Sequence, residues 1–401
     1  MKENWEIVPF GNVCEISGGS QPPKSNFIYE PKEGYIRLIQ VRDFRTDKYI
    51  TYIPKEKAKK FCEASDIMIG RYGPPIFGIF SGLEGAYNVA LMKAIPNEEI
   101  LNKEYFRWFL RNDALIKFVE KTSKRAAGQD GVRKERLYQY PVPIPPLLEQ
   151  KAIVKILDEA FAKIDQSKAN IEKNIENAKE LFTNWSFLQI KNSKWSKNNW
   201  EDICDFIRGP FGGSLKKSMF VESGYAVYEQ KQAIHNDYDA LRYYIDSDKF
   251  EEMKRFEVKA ADLLMSCSGV TLGRISEVPQ NAPAGIINQA LLKLTSNPSK
   301  ILNDFLVLWI RSKVFQDLIF NVSGGAAQPN VPAVKILKKI QVPCPKINEQ
   351  KEFIELHNKM KVLTQGLINK NIVKSKSLDE LKKSLLQKAF SGELTKSETI
   401  A

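Results

Sequence analysis

Two long stretches of the chain carry hydrophobic positions at the spacing of coiled-coil helices. In the first stretch these positions alternate four and three residues apart, which is typical of a helix that buries one narrow stripe. The stripe comprises Leu157, Phe161, Ile164, Lys168, Ile171, Ile175, Ala178, Phe182 and Trp185. At about 1.5 Å per residue, this helix would extend on the order of 40 Å.

The second stretch has a weaker stripe with a polar interval. Its positions are Met360, Leu363 and Leu367, then polar Asn371 and Lys374, then Leu378, Leu381 and Leu385. Polar residues in such a stripe usually lower stability and fix the register of pairing. We therefore expect the two helices to pair antiparallel within the chain and to hold two globular regions apart. A dimerisation zipper between two copies of the chain is the alternative.

Each long helix follows a region with a mixed pattern. Short β-rich runs, such as Tyr35 to Ile39 and Tyr225 to Tyr228, lie between Gly, Pro and Asp residues, which predicts a sheet-containing domain. One helix is predicted in each region, from about Lys103 to Thr122 and from about Asn303 to Asn321. A polar, glycine-bearing loop and a short proline-rich strand complete the region.

The whole pattern occurs twice. The segment from Pro141 to Lys151 returns from Gln341 to Lys351, and Asn88-Val89-Ala90-Leu91 faces Asn288-Gln289-Ala290-Leu291 at the same separation. Further upstream the separation drifts, and we match Trp5-Glu6 to Trp200-Glu201. The chain is therefore a tandem duplication with a pseudo-two-fold α+β fold. Residues 1–145 and 193–345 are predicted to be the globular domains, and 146–192 and 346–401 the helices. A duplicated chain suits a reader of a two-part target better than a single-site enzyme.

Composition and charge fit a polyanionic partner. The 401 residues include 60 Lys+Arg against 48 Asp+Glu, a formal charge of +12, and 43% are hydrophobic, enough for two cores. A solvated basic surface without a nucleic-acid role is the alternative interpretation. The N-terminus has no apolar signal segment, and no apolar run is long enough to span a membrane, so we expect a cytoplasmic protein without membrane contact.

The five cysteines do not have the spacing of a metal site. They contain no CxxC pair, and only His235 and His357 are available to join them. Cys14 and Cys204 lie in matching apolar contexts, which predicts buried packing residues rather than reactive thiols. We expect no metal in this chain.

The ordered motifs resemble those of one known family. A globular segment that ends in Val-Pro-x-Pro, followed by Glu-Gln and a long helix, occurs twice, and the C-terminal stretch reads Leu385-Leu386-Gln387-Lys388-Ala389-Phe390-Ser391-Gly392-Glu393-Leu394. The domain openings, through Gly18-Gly19 and Gly209-Pro210-Phe211-Gly212-Gly213, fit as well. Together these motifs resemble the specificity subunit of a type I restriction–modification enzyme. The first helix lacks the fuller ending of the second.

That resemblance implies a role without catalysis. Two target recognition domains would each read half of a split sequence in double-stranded DNA, with the helices as a ruler for the unread gap. The resemblance also implies two modification subunits, which methylate adenine with S-adenosylmethionine, and restriction subunits, which use ATP and Mg. No cofactor is expected in this chain itself.

Candidate phosphate contacts lie in the glycine-bearing openings. Glycines allow close backbone approach to a phosphate, and the neighbouring basic side chains supply charge. These candidates are Gly18, Gly19 and Lys24 in the first domain, and Arg208, Gly212, Gly213, Ser214, Lys216 and Lys217 in the second. Ordinary glycine turns with solvated lysines are the alternative.

Candidate base-reading residues follow predicted strands, since Arg, Gln and Asn suit guanine and adenine edges. They are Arg37, Gln40, Arg42 and Arg45 in the first domain, and Glu229, Gln230, Lys231, Gln232 and Asn236 in the second. The later polar loops add Lys124, Arg125 and Gln129, and Gln328 and Asn330. Because these sets differ, the two domains are expected to read different sequences.

Two other classes of protein compete with this interpretation. The sequence lacks GxxxxGK and GxGxxG loops and an Asn-Pro-Pro-aromatic stretch, which argues against an enzyme. Glu257-Val258-Lys259 with Asp248 upstream has a faint likeness to a nuclease site. A coiled-coil adaptor that binds protein but not DNA is the third possibility.

Overall fold

A computed structural model describes residues 5–73, 76–124, 130–322 and 333–395, and its contacts divide the chain into two units. Unit 1 takes its described residues from Met1–Glu172 and Ile372–Ala401, and unit 2 comprises Lys173–Asn371. Each unit therefore holds one globular region and a portion of both long helices.

Unit 1 contains ten strands and four short helices among its described residues. The strands are β1 (Glu6–Pro9), β2 (Cys14–Gly18), β3 (Tyr35–Ile39), β4 (Tyr52–Pro54), β5 (Phe61–Cys62), β6 (Ile67–Gly70), β7 (Ile79–Phe80), β8 (Gly85–Tyr87), β9 (Leu91–Pro96) and β10 (Pro141–Ile144). The helices are α1 (Phe10–Val13), α2 (Lys103–Phe109), α3 (Asp113–Ser123) and α4 (Lys134–Leu137). They precede the long helix α5 (Leu147–Lys191).

Unit 2 repeats this series. Its strands are β11 (Lys197–Asn199), β12 (Cys204–Arg208), β13 (Tyr225–Tyr228), β14 (Tyr244–Ile245), β15 (Glu257–Val258), β16 (Leu263–Ser266), β17 (Ile275–Glu277), β18 (Gly285–Ile287), β19 (Leu291–Ser296) and β20 (Gln341–Pro343). Its helices are α6 (Gln230–His235), α7 (Ser247–Glu252), α8 (Asn303–Arg311), α9 (Lys313–Val322) and α10 (Val334–Lys338). They precede the long helix α11 (Ile347–Ser391).

The sheets of the two units have the same topology. In unit 1 the orders are β1-β10, β2-β9-β6-β7 and β4-β3-β8-β5, and unit 2 has β11-β20, β12-β19-β16-β17 and β14-β13-β18-β15. The β3–β8 and β13–β18 pairs are parallel, and the remaining neighbours are antiparallel. The predicted tandem α+β architecture is confirmed.

The single helix predicted in each globular region is two helices. Asn112 follows α2 and caps α3, because its Oδ1 accepts a hydrogen bond from Ala114 N at 2.8 Å. In unit 2, Ser312 separates α8 from α9. Hydrophobic periodicity continued across both breaks and therefore did not reveal them.

The cysteines are packing residues, as the sequence predicted. Cys14 and Cys204 belong to the main cores of their units. Burial raises the pKa of each thiol to about 12, so the reactive thiolate is suppressed at neutral pH. No helix among the described residues combines the length and hydrophobicity needed to cross a membrane.

A buried glutamine anchors the start of each long helix. Gln150 accepts a hydrogen bond from Asn102 N at 2.7 Å and donates to Ile100 O and Pro145 O. Gln350 makes the same three bonds, to Leu302 N, Lys300 O and Pro345 O. The Glu-Gln repeat in the sequence therefore joins each helix to its globular region.

The long helices run antiparallel within each unit. In unit 1, Lys168 Nζ lies 2.6 Å from Asp379 Oδ1, and Asp165, one turn earlier on α5, pairs with Lys382, one turn later on α11. In unit 2, Phe182 and Trp185 of α5 contact His357 of α11. The predicted intramolecular pairing is confirmed.

The predicted stripe of α11 is partly wrong. Leu363, Leu367 and Leu381 are 59%, 50% and 45% exposed. Lys374 is exposed as well, whereas the predicted Met360, Asn371, Leu378 and Leu385 are buried or half-buried, and Thr364, Ile368, Ser375 and Lys382 continue their row. Several of these residues are polar, so a search for leucines selected the neighbouring, solvent-facing row.

The match of Trp5 to Trp200 is also wrong. Phe10 N donates to Tyr140 O and Trp200 N donates to Ile340 O, so Trp200 corresponds to Phe10. Trp195 is the counterpart of Trp5 and packs against the core of unit 2. Trp5 differs in using its indole N–H, which donates to Glu149 Oε2 at 3.1 Å.

His357 lies in an aromatic pocket of the helix pair in unit 2. Its ring centroid is 5.2 Å from Phe182, 6.2 Å from Trp185 and 6.1 Å from Phe353. Its Nδ1 atom is buried without a hydrogen-bond partner. Burial, and to a smaller extent the charge of Lys361, lowers the pKa of His357 below its ordinary 6.5.

This lowered pKa predicts that acid weakens unit 2. Because the folded state disfavours the charged ring, protonation of His357 favours unfolding. The stability contributed by the neutral ring is complete above pH 6.5 and is lost as pH falls below that value. Thermal unfolding of the full chain at pH 8 and pH 5 measures the effect. We expect Tm to fall by a few °C more in the wild type than in His357→Phe. Equal decreases of Tm in the two proteins would contradict this prediction.

Candidate nucleic-acid interface

A tight turn between β8 and β9 organises the candidate interface of unit 1. Asn88 Oδ1 accepts a hydrogen bond from Ala90 N at 3.1 Å, and Asn88 O accepts one from Leu91 N at 3.0 Å. A short amide side chain that bonds to the backbone two residues later fixes such a turn. The side chain of Asn88 is buried. We call residues 88–91 and 288–291 the Asn turns.

Three segments bind to this Asn turn through their backbones. The glycine opening is held by Gly19 N, which donates to Leu91 O at 3.0 Å. The loop after β3 is held because Asn88 N donates to Ile39 O at 3.1 Å. The loop after β6 is held by Arg71 N, which donates to Ala90 O at 2.8 Å. The turn therefore places three loops side by side.

Unit 2 repeats the arrangement bond for bond. Ala290 N donates to Asn288 Oδ1 at 3.0 Å. The three segments are held by the bonds Gly209 N to Leu291 O, Asn288 N to Tyr228 O, and Cys267 N to Ala290 O, each of 2.9 Å. The two candidate interfaces are therefore equivalent in backbone and differ in side chains.

The sequence predicted that Gly19 contacts DNA, but the structure shows that this glycine is needed for backbone packing. A Cβ atom at Gly19 would lie 1.9 Å from Asn88 O, and one at Gly209 would lie 1.8 Å from Asn288 O. Both positions need glycine because the two backbones touch. Gly209, rather than Gly212 or Gly213, is thus the counterpart of Gly19. Gly18 and Gly213 face open space and remain available to a ligand.

The loop after β3 brings Arg37, Gln40 and Arg42 together. Gln40 Nε2 and Arg42 Nη2 both donate to Thr51 Oγ1, at 3.1 and 3.5 Å. Arg37 Nη2 lies 3.0 Å from Asp47 Oδ1, and the Arg42 guanidinium stacks on Tyr49. These contacts pre-orient the basic and amide groups. Arg45 is exposed at the end of the loop.

The same loop contains a buried carboxyl group. Asp43 Oδ2 accepts a hydrogen bond from Gln40 N at 3.0 Å, which caps the 3₁₀ turn Val41–Phe44. Burial raises the pKa of Asp43, although Arg37 and Arg42 act in the opposite direction. The carboxyl group thus shapes the loop and stays away from its outer surface.

The corresponding loop of unit 2 corrects one prediction. Gln232 is fully buried, and its Oε1 accepts a hydrogen bond from Glu229 N at 2.8 Å to cap α6. It corresponds to Asp43 and cannot reach a base edge. Lys231 is half-buried. Asn236 is exposed and ends α6 in the left-handed region, with φ 54°.

Gln230 links two of the loops in unit 2. Its Nε2 atom donates to Ser266 Oγ at 2.9 Å and to Ser268 O at 3.0 Å. The residue is half-buried, and its amide is occupied by the loop after β16. Gln230 thus positions the loop after β16.

The other predicted residues are mostly exposed. Lys24 and Lys124 are exposed in unit 1, and Ser214, Lys216 and Lys217 are exposed in unit 2. Arg208, at the end of β12, is half-buried, and its Nη1 atom has no hydrogen-bond partner. Gly212 begins the 3₁₀ turn Gly212–Ser214. Arg125, Gln129, Gln328 and Asn330 lie outside the described residues.

Sequence reasoning missed the loop after β6. Arg71 stacks on Tyr72 with 5.1 Å between guanidinium and ring, and Val132 N donates to Arg71 O at 3.0 Å. A half-buried basic–aromatic pair at a candidate interface suits phosphate or base contact. The dipeptide Arg71-Tyr72 after a buried strand was the available signal. In unit 2 the same place holds Cys267-Ser268.

The nuclease-like residues do not form a metal site. Lys254 and Lys259 pair with Glu257 at 3.7 and 3.9 Å, an ordinary surface cluster. Asp248 lies in α7, at a separate place in the chain. Within the described ranges there is no group of three or more side chains suited to hold a metal ion.

The two units thus present equivalent surfaces, each with three loops around an Asn turn. The family described as Type I restriction modification DNA specificity domain matches residues 2–177 and 192–383. The chain belongs to this family, and the resemblance found in the sequence is confirmed.

Relatives and solved structures match this chain along nearly its whole length. The type I restriction enzyme MjaVIII specificity subunit of Methanocaldococcus jannaschii is 23% identical, over 98% of this chain and 93% of the relative. The EcoBI specificity subunit of Escherichia coli is 23% identical, over 98% and 87%. The HsdS subunit from Thermoanaerobacter tengcongensis has a TM-score of 0.63 at 16% identity and 98% coverage of both chains. A chain solved in work on assembly and conformational transition of the type I R-M system has a TM-score of 0.71 at 17% identity, covering 98% of this chain and 99% of that one. These structures establish the shared fold.

The Asn turn predicts a local response to mutation. Asn288→Ala removes the acceptor of Ala290 N, a loss of about 1 kcal/mol, and should speed amide hydrogen exchange at Gly209, Cys267 and Ala290 severalfold. The matching Asn88→Ala should act only on the loops of unit 1. Asn288→Asp keeps an acceptor and serves as control. Unchanged exchange in Asn288→Ala would show that the turn does not hold the loops.

Proposed function

We propose that each globular region of this specificity subunit reads one half of a two-part DNA sequence. The observation that carries the proposal is the repetition of one backbone arrangement with different side chains. Gln40 and Arg42 in unit 1 correspond to Glu229 and Lys231 in unit 2. A shared scaffold with altered side chains presents different chemistry at equivalent places.

The chemistry of the three loops suits duplex DNA. Arginine and amide groups can read base edges in the major groove, and lysines near glycine turns can contact phosphates. Arg42 and Arg45 are exposed, as are Lys216 and Lys217, beside the open backbone at Gly213. The formal charge of +12 adds attraction to a polyanion at long range.

The chain acts, in this proposal, through partner subunits. Two modification subunits would methylate adenine with S-adenosylmethionine, and restriction subunits would use ATP and Mg to translocate and cut DNA. The chain itself would supply specificity and no catalytic group. It would act in the cytoplasm, where these partners and the DNA meet.

The exposed apolar row of α11 is the proposed surface for the modification subunits. Leu356, Leu363 and Leu367 are 44%, 59% and 50% exposed on the part of the helix in unit 2. Residues at this spacing share one side of a helix. Such a row fits an apolar helix of a protein partner.

The salt dependence of duplex binding distinguishes DNA recognition from the adaptor alternative. Binding through several phosphates weakens by orders of magnitude between dilute and physiological salt. A protein adaptor would show no duplex binding with that dependence. Intrinsic nuclease activity is not part of the proposal.

Exchange of one globular region tests independent reading. Residues 1–140 are replaced by the same region of a relative with a known target, and the complex with the modification subunit is tested by methylation mapping. One half of the recognised sequence should change and the other should stay. The reciprocal exchange of residues 193–340 is the matched control and should change the other half. A change of both halves in either hybrid would refute independent reading.

A further inference from the structure

Phe211 is the most exposed large hydrophobic residue in the described part of the chain. Its side chain is 92% exposed, whereas the leucines on the open face of α11 reach at most 59%. Single exposed hydrophobic residues are common, but a phenylalanine held almost entirely in water at a candidate binding surface is an unused apolar contact.

The loop around Phe211 is fixed on both sides. Before it, Gly209 is bonded to the Asn turn and Pro210 is buried. After it, Ser214 N donates to Phe211 O at 2.8 Å, and Leu215 packs in a core cluster of unit 2. The backbone therefore presents the ring in a defined place before any partner binds.

The surroundings of the ring favour nucleic acid. Phe211 follows Gly209 by two residues, and Gly209 is bonded to the Asn turn that also holds the loops of Gln230 and Ser268. Lys216 and Lys217 follow it and are exposed, and Gly213 leaves open space beside it. An apolar ring beside free backbone and ammonium groups combines stacking with phosphate contact.

Unit 1 has a different residue at the same place. Gly19 corresponds to Gly209, so Gln21 corresponds to Phe211, and Gln21 is also exposed. Ser20 N donates to Tyr87 O at 3.1 Å and holds the loop in unit 1. The chain thus presents a polar side chain at one interface and an aromatic one at the other.

We propose that Phe211 inserts as an apolar wedge at a base step of the half-sequence read by unit 2. This inference rests on the proposed function and goes beyond it, because it assigns one half of the target a local unstacking that the other half lacks. Apolar side chains that enter a base step open the stack and kink the duplex.

The test uses the full chain in complex with its modification subunit and a duplex that carries the mapped target. 2-Aminopurine replaces single bases around the half assigned to unit 2, because its fluorescence rises when it is unstacked. Wild-type complex should raise the signal at one step. Phe211→Ala should abolish the rise and weaken binding roughly tenfold.

Two matched variants separate a wedge from other roles. Phe211→Leu keeps an apolar side chain and should retain most of the rise. Gln21→Ala, at the equivalent place in unit 1, should leave the fluorescence rise at the step read by unit 2 unchanged. Since Phe211 is exposed, Tm should be the same in all variants.

Three results would overturn the proposal. Phe211→Ala with wild-type fluorescence and affinity would show that the ring does not enter DNA. Loss of the modification subunit from Phe211→Ala during gel filtration would make the residue a protein contact. A wild-type complex that binds no duplex in preference to others would refute the proposed function as well as the wedge.

Discussion

Each candidate interface depends on a small turn to which three of its loops are hydrogen-bonded. An asparagine side chain closes the turn, and the turn's own backbone atoms accept or donate the bonds that hold three separate segments. Backbone groups do not change when side chains do. The loops can therefore vary in chemistry while their positions stay the same, and this is what a protein that reads DNA requires.

The repeated glutamines act in the same way where each long helix joins its globular region. Gln150 and Gln350 bond to the backbone of their own regions, so the orientation of each long helix is fixed by backbone groups that do not depend on the interface loops. The helices pair through polar contacts as well as apolar ones. The pair of Lys168 with Asp379 shows how α5 and α11 define their register in unit 1.

The sequence predicted the duplication, the two long helices and the buried cysteines, because repeats and periodicity report directly on these features. It failed where burial, or contacts from other parts of the chain, decide the role of a residue. Gln232 looks like a loop amide, and only the fold shows that it is a buried cap. Leu363 and Leu367 look like part of an ideal stripe, but the buried and half-buried row runs through Thr364, Ile368 and Asn371. The loop of Arg71 was missed because its neighbours, Ala90 and Val132, come from other parts of the chain.

The most direct test of the central claim is a map of methylated adenines. This chain is expressed with the modification subunit encoded beside it, and the host genome is sequenced by a single-molecule method that detects methylation. Two domains that read different halves should confine methylation to one split, asymmetric sequence with a fixed unread gap. A complex that forms and methylates a continuous or symmetric sequence would contradict two domains that read different halves.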